Sequence, residues 1–184
     1  MSLSARPNAI WALAGISFIE SSFFPIPPDL LLIPMVLAAR TQWLRIAMVC
    51  TLASVVGGMF GYAIGYYLYE GIGRPLLEFY GYTAKFEDFQ LRYNDWGAWI
   101  VFIAGVTPFP YKVITIASGV TQLDLATFTG ASILARGLRF FVVSALLWWV
   151  GPPIREFIEK RLGLVFTVFV VLLVGGFAGL KLLS

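Results

Sequence analysis

The chain contains no histidine and one cysteine, Cys50, in 184 residues. Without imidazole there is no histidine general base, no histidine-ligated haem and no ordinary zinc or copper site. One thiol excludes an intramolecular disulfide and a multi-thiolate metal centre, which leaves Cys50 as helix packing. No metal and no cofactor is expected. Charge is scarce too: 12% of residues are Asp, Glu, Lys or Arg, against 59% hydrophobic, with a mean hydropathy of +0.84. A water-soluble domain of this size cannot cover itself with so little polar surface, so the composition is that of an integral membrane protein. The net charge is only +3 and the bases are scattered, so no nucleic-acid patch is expected. Arg6 before Ala9 to Ile19 imitates a signal peptide, but no small-x-small cleavage site follows, and cleavage is not expected.

What remains is long apolar runs, read as helices because they do not alternate as barrel strands do. The chain is organised around residues 20–29, Glu-Ser-Ser-Phe-Phe-Pro-Ile-Pro-Pro-Asp, which interrupt an apolar stretch from Ala9 to Ala39. Pro25, Pro27 and Pro28 cannot sit inside a continuous helix, since each lacks an N–H and crowds the preceding turn. The arms on either side, Ala9 to Ile19 and Leu30 to Ala39, are each about 15 Å long at ~1.5 Å per residue, half of a ~30 Å hydrocarbon core. The economical reading is a re-entrant hairpin with a carboxylate on each arm near its tip, Glu20 and Asp29.

Residues 97–123 repeat the theme. An apolar arm, Gly97 to Thr107, meets Pro108-Phe-Pro110-Tyr-Lys112 and continues as Val113 to Leu123. An offset of 83 places Pro25 on Pro108, Pro27 on Pro110 and Asp29 on Lys112, an internal repeat with the charge inverted. Short proline-broken segments in corresponding positions of two halves are the sequence pointer to a midplane substrate site in a transporter. Each hairpin precedes a longer apolar run. Ile46 to Tyr69 has 24 residues without a charge, enough to span with some tilt. Gly57, Gly61 and Gly65 recur on one face of it beside Ser54 and Gly58, either as ordinary packing or as a smooth face against the hairpin or along a path.

The second run, Leu125 to Gly151, carries Arg136 and Arg139. On a straight helix Arg136 lies about 16 Å from the start, too deep for its side chain to reach water directly. It needs a partner, and an intramembrane charge is a functional-site hypothesis by default. A helix broken at Gly130 or Gly137 would instead leave both arginines in a shallow loop. The whole chain is thus expected to be one all-α membrane domain over 1–184. It comprises repeat 1 at about 9–69, an interfacial connector at 70–96 broken at Gly71 to Gly73 and at Gly81, and repeat 2 at about 97–151. An amphipathic turn and a last transmembrane helix follow at 152–184.

Phe18-Ile-Glu20 with Phe24-Pro25-Ile-Pro27-Pro28-Asp29, the Gly61-Tyr62-x-x-Gly65 helix, the second Pro-x-Pro-x-Lys turn ending in Ala117-Ser118-Gly119, and the buried Arg136 resemble the DedA family of bacterial membrane proteins, also called SNARE-associated or VTT-domain proteins. The resemblance covers about residues 9 to 160. It implies a lipid carrier of the bacterial inner membrane, one that recycles undecaprenyl phosphate or moves phospholipids in dependence on the proton gradient. It maps the family's acidic pair onto Glu20 and Asp29 and its later arginine onto Arg136. The second hairpin departs from the family pattern, with Val106 and Thr107 before the proline where an arginine is usual, and Lys112 as its one base.

Glu20, Asp29, Lys112, Arg136 and Arg139 together carry a net +1 at membrane depth. The surplus base suits an anionic phosphate headgroup held by Lys112, Arg136 and Arg139, with Glu20 and Asp29 pairing with the bases and carrying the coupling proton. A structural or assembly factor of the membrane and an ion channel are the alternatives, although three bases at one depth disfavour free cations. A lipid-phosphate enzyme would need a nucleophile or metal cluster that the sequence does not offer. With both hairpins re-entrant, six bases fall on the N-terminal side and four on the other, which places the N-terminus in the cytoplasm.

Overall fold

The computed structural model describes residues 8–23, 27–107 and 109–151. The expected amphipathic turn and last helix at 152–184 lie outside the described residues, as do Pro25 and Pro108. The chain divides into Met1–Trp148 and Trp149–Ser184, and the architecture below is that of the first unit. Among the described residues every regular element is a helix: α1 Asn8–Ser22, α2 Asp29–Ala38, α3 Trp43–Leu68, α4 Arg74–Tyr80, α5 Thr83–Asp95, α6 Gly97–Val106, α7 Tyr111–Val120 and α8 Leu125–Val150.

The two halves have matching outlines. A short pair of helices around a proline turn, α1/α2 or α6/α7, precedes a helix of 26 residues, α3 or α8. Those two long helices are apolar enough to cross a membrane, whereas α1, α2, α6 and α7 are too short. The ten residues of α2, α6 and α7 give about 15 Å of helix, the half-bilayer length the sequence implied, while α1 with 15 residues is longer, about 22 Å. Asp29 is the first residue of α2, and Lys112 the second of α7. Helix α2 runs on through Pro34, a proline the reading of the arm took no account of.

Helix α3 is the central strut, and its glycine face explains why. A Cβ on Gly57 would collide with the backbone of Phe18 in α1, and one on Gly65 with the backbone of Ile116 in α7. The smooth face therefore lies against one arm of each hairpin, with backbone nearly on backbone. Thr115 in α7 donates to the Ser21 carbonyl at 3.1 Å, joining the two hairpins directly.

The connector is a π-helical turn over Tyr69–Gly73 followed by α4, which ends at Gly81 with φ +70, the left-handed geometry of a helix C-cap. The expected break at Gly81 falls where the glycine puts it, whereas the one expected at Gly71 to Gly73 is a π-helical turn inside a continuous helical run from Arg40 to Tyr80. The connector is also docked: Gln90 and Asn94 of α5 donate to the Thr121 carbonyl at 2.7 and 3.0 Å, and the Tyr93 hydroxyl lies 3.1 Å from that of Ser118.

Candidate functional site

Helix α8 passes unbroken through Gly130 and Gly137, so both arginines sit in mid-helix. Arg136 is 1% exposed. Its Nη2 donates to Glu20 Oε2 at 2.7 Å and its Nε to Ser54 Oγ at 2.6 Å. The guanidinium carbon lies over the rings of Tyr111 and Phe140, 4.9 and 4.6 Å from their centroids. Flanking aromatic faces suit a weakly hydrated planar cation. The partners are themselves fixed. Ser21 Oγ lies 2.6 Å from Ser54 Oγ and donates to Glu20 at 3.1 Å, and the Tyr111 hydroxyl donates to Ser132 at 2.5 Å. Four helices, α1, α3, α7 and α8, thus converge on one buried cation.

Three residues on, Arg139 has a different setting. Its Nη2 donates to Asp29 Oδ2 at 2.7 Å and its Nη1 to the Thr107 carbonyl at 2.9 Å. Asp29 opens α2 directly after the first proline turn, and Thr107 closes α6 directly before the second. One guanidinium therefore bridges the two turns. The side chains of Arg139 and Asp29 are 18% and 26% exposed, against 1% and 14% for Arg136 and Glu20. The second carboxylate oxygen of Asp29 is buried with no hydrogen-bond partner among the described residues.

The structure thus brings together four of the five charges singled out in the sequence and assigns the pairs. Lys112 joins no ion pair among the described residues. The buried face of α7 is Tyr111, Thr115, Ser118 and Gly119; Lys112, one residue from Tyr111, is turned about 100° from it. Ser54, Ser21, Tyr111 and Phe140 were not anticipated as parts of the site. The available signal was spacing: Ser17 and Ser21 in α1 face Cys50 and Ser54 in α3, each set four apart, with Ser17 Oγ 2.9 Å from Cys50 Sγ.

Each guanidinium donates to a carboxylate oxygen, and a guanidinium donates to phosphate oxygens in the same way. Among the described residues no cluster of His, Cys, Asp or Glu could hold a metal ion.

No solved structure matches the chain. Among sequences, an uncharacterized protein of Haemophilus influenzae is 35% identical over 181 residues, 98% of this chain and 94% of that one. Undecaprenyl phosphate transporter A of Staphylococcus aureus is 27% identical over 133 residues, 67% of this chain and 66% of that one. An uncharacterized protein of Methanocaldococcus jannaschii is 27% identical over 128 residues, 70% of this chain and 77% of that one. Residues 26–148, from the first proline turn almost to the end of α8, match the VTT domain; the chain belongs to the VTT-domain family, the DedA family of membrane proteins.

Proposed function

We propose that this protein carries a phosphate-bearing lipid, such as undecaprenyl phosphate or a phospholipid, across the bilayer, with proton uptake and release coupled to the movement. The observation that carries the reading is the pair of arginines in mid-α8, each held by a carboxylate of the first hairpin. The likeness to undecaprenyl phosphate transporter A supports it. Such charges are retained in hydrocarbon when they serve a path for a charged substrate.

In this mechanism the two arginines of α8, with Lys112 as a third base outside their ion pairs, attract the phosphate. The half-bilayer hairpins are re-entrant and expose these bases to one leaflet at a time. Asp29 neutralises Arg139, so protonating Asp29 frees that guanidinium and strengthens anion binding. By linkage, anion binding then draws in a proton. Nothing in this scheme calls for a covalent step.

The test is translocation of a fluorescent polyprenyl phosphate in liposomes, with and without a pH gradient, followed by quenching from outside. The wild type should exceed protein-free liposomes, respond to the gradient, and leave a neutral polyprenol unmoved. A rate equal to that of protein-free liposomes overturns the transporter reading, and a rate indifferent to the gradient overturns the coupling.

A further inference from the structure

The two arginines look equivalent in sequence, yet they are bound in ways that cannot serve the same purpose. Arg136 has its charge matched by Glu20, its Nε taken by Ser54 and its guanidinium packed on the rings of Tyr111 and Phe140. An incoming anion would have to replace Glu20 beside a buried guanidinium, leaving that carboxylate with Ser21 alone and the packing around Arg136 undone. A buried charge stripped of its partner is the costliest state such a site can adopt.

Arg139 presents the opposite case. The buried stripe of α8 is Phe128, Ala131, Ser132, Ala135, Arg136, Phe140, Ser144 and Leu147. At about 100° per residue Arg139 falls within the arc of that stripe. Its partial exposure is therefore an opening in the packing at the level of the two turns, not an outward-facing position. Its partner Asp29 is the most exposed of the four paired side chains and has one oxygen lacking a hydrogen-bond partner among the described residues.

Accordingly we propose, on the basis of the lipid-phosphate reading above, that Arg139 is the residue that docks the anionic headgroup and Asp29 the group it displaces, while Arg136 and Glu20 stay paired as a fixed post that positions α8. The exchange is close to charge-neutral for a singly charged headgroup: one anion leaves the guanidinium as another arrives. The Arg139 Nη1 bond to the Thr107 carbonyl keeps the guanidinium in place at the end of α6 when Asp29 leaves. Because the same guanidinium bridges both turns, displacement of Asp29 unfastens the first turn from the second. The ligand class is a phosphate ester, and its source is either a lipid headgroup or free phosphate.

The experiment is binding of decyl phosphate and, separately, inorganic phosphate to the purified full chain in detergent at one fixed pH, with thermal melting of each variant alongside. Asp29→Asn removes the competitor and should tighten decyl phosphate binding several-fold. Arg139→Gln should abolish binding with a small loss of Tm, and Arg139→Lys, which keeps the charge but loses the fork, should recover only part of it. Glu20→Gln should lower Tm clearly without tightening binding. Tighter binding of decyl than of inorganic phosphate assigns the site to a lipid, and the reverse order to the free ion. Wild-type binding that survives Arg139→Gln, or that tightens in Glu20→Gln and not in Asp29→Asn, overturns the assignment while leaving lipid transport intact. Absence of binding of either phosphate to the wild type removes the lipid-phosphate reading and this inference with it.

Discussion

The two ion pairs of α8 use the same chemical groups three residues apart, and the difference between them lies in what surrounds them. Arg136 and Glu20 are enclosed by four helices, with a serine and two aromatic rings completing the shell. Arg139 and Asp29 meet where two proline turns approach each other, with one backbone carbonyl as the only further hydrogen-bond partner of the arginine among the described residues. A buried pair held by a serine and two aromatic rings is a fixed element of the fold. A half-open pair with spare bonding capacity is one that can exchange.

The sharpest way to break this comparison is to remove Arg136. Arg136→Gln leaves Glu20 without its cation, and removing one partner of a buried pair costs about 3–5 kcal/mol. Low recovery of monodisperse protein and a strongly lowered Tm are expected. A Tm like that of the exposed-site control Lys85→Gln would contradict the fixed-post role.

A second intervention reaches the Arg136–Glu20 pair through the backbone of α1. Gly57→Ala puts a methyl group into the backbone of Phe18, two residues before Glu20, so α1 must move off α3. Overpacking of this kind costs about 1–3 kcal/mol. The expected loss of Tm should be strongly non-additive with Glu20→Gln and close to additive with Asp29→Asn, which a double-mutant cycle measures.

Asp29→Asn should itself cost less stability than Arg136→Gln, because its pair is less buried, while slowing transport at least tenfold. A Tm loss equal to that of Glu20→Gln would erase the distinction between the pairs.

The smallest effect belongs to an exposed carboxylate outside the membrane-spanning helices. Asp124 accepts the Thr127 backbone N–H at 2.8 Å and its hydroxyl at 2.9 Å, capping α8. These bonds hold its carboxyl below the ordinary carboxylate value. A lowered folded-state pKa gives stability that is present above the unfolded value and is lost as pH falls through the folded one. Asp124→Ala should therefore reduce Tm slightly at neutral pH and not at strongly acid pH. An equal difference at both would assign the effect to something other than the cap's charge.

Much of this arrangement was legible in the sequence because the bilayer constrains it tightly. Uncharged runs and prolines placed the helix ends within a few residues, and the depth of Arg136 in an apolar run required a buried partner. Which acid meets which base was not legible. The repeat sets Lys112 opposite Asp29, but Tyr111 takes the inward position at the start of α7 and turns Lys112 aside. Instead Asp29 receives a guanidinium from the helix beyond the hairpin. Ser54 read as one more small residue on the glycine face; its role as acceptor for Arg136 depends on the phase of α3 against α8, which spacing within one helix does not encode. Pro34 escaped notice because a proline on an exposed helix face leaves the apolar pattern around it intact.

The central claim is that Arg139 clasps the two proline turns and releases them to an anionic headgroup. The most direct measurement is a spin-label distance between Leu30→Cys in α2 and Phe109→Cys in the second turn, both exposed, in a Cys50→Ser background. Decyl phosphate should lengthen or broaden the distribution, and Arg139→Gln should give that same distribution without ligand. A distance unchanged by decyl phosphate and by Arg139→Gln would contradict the clasp.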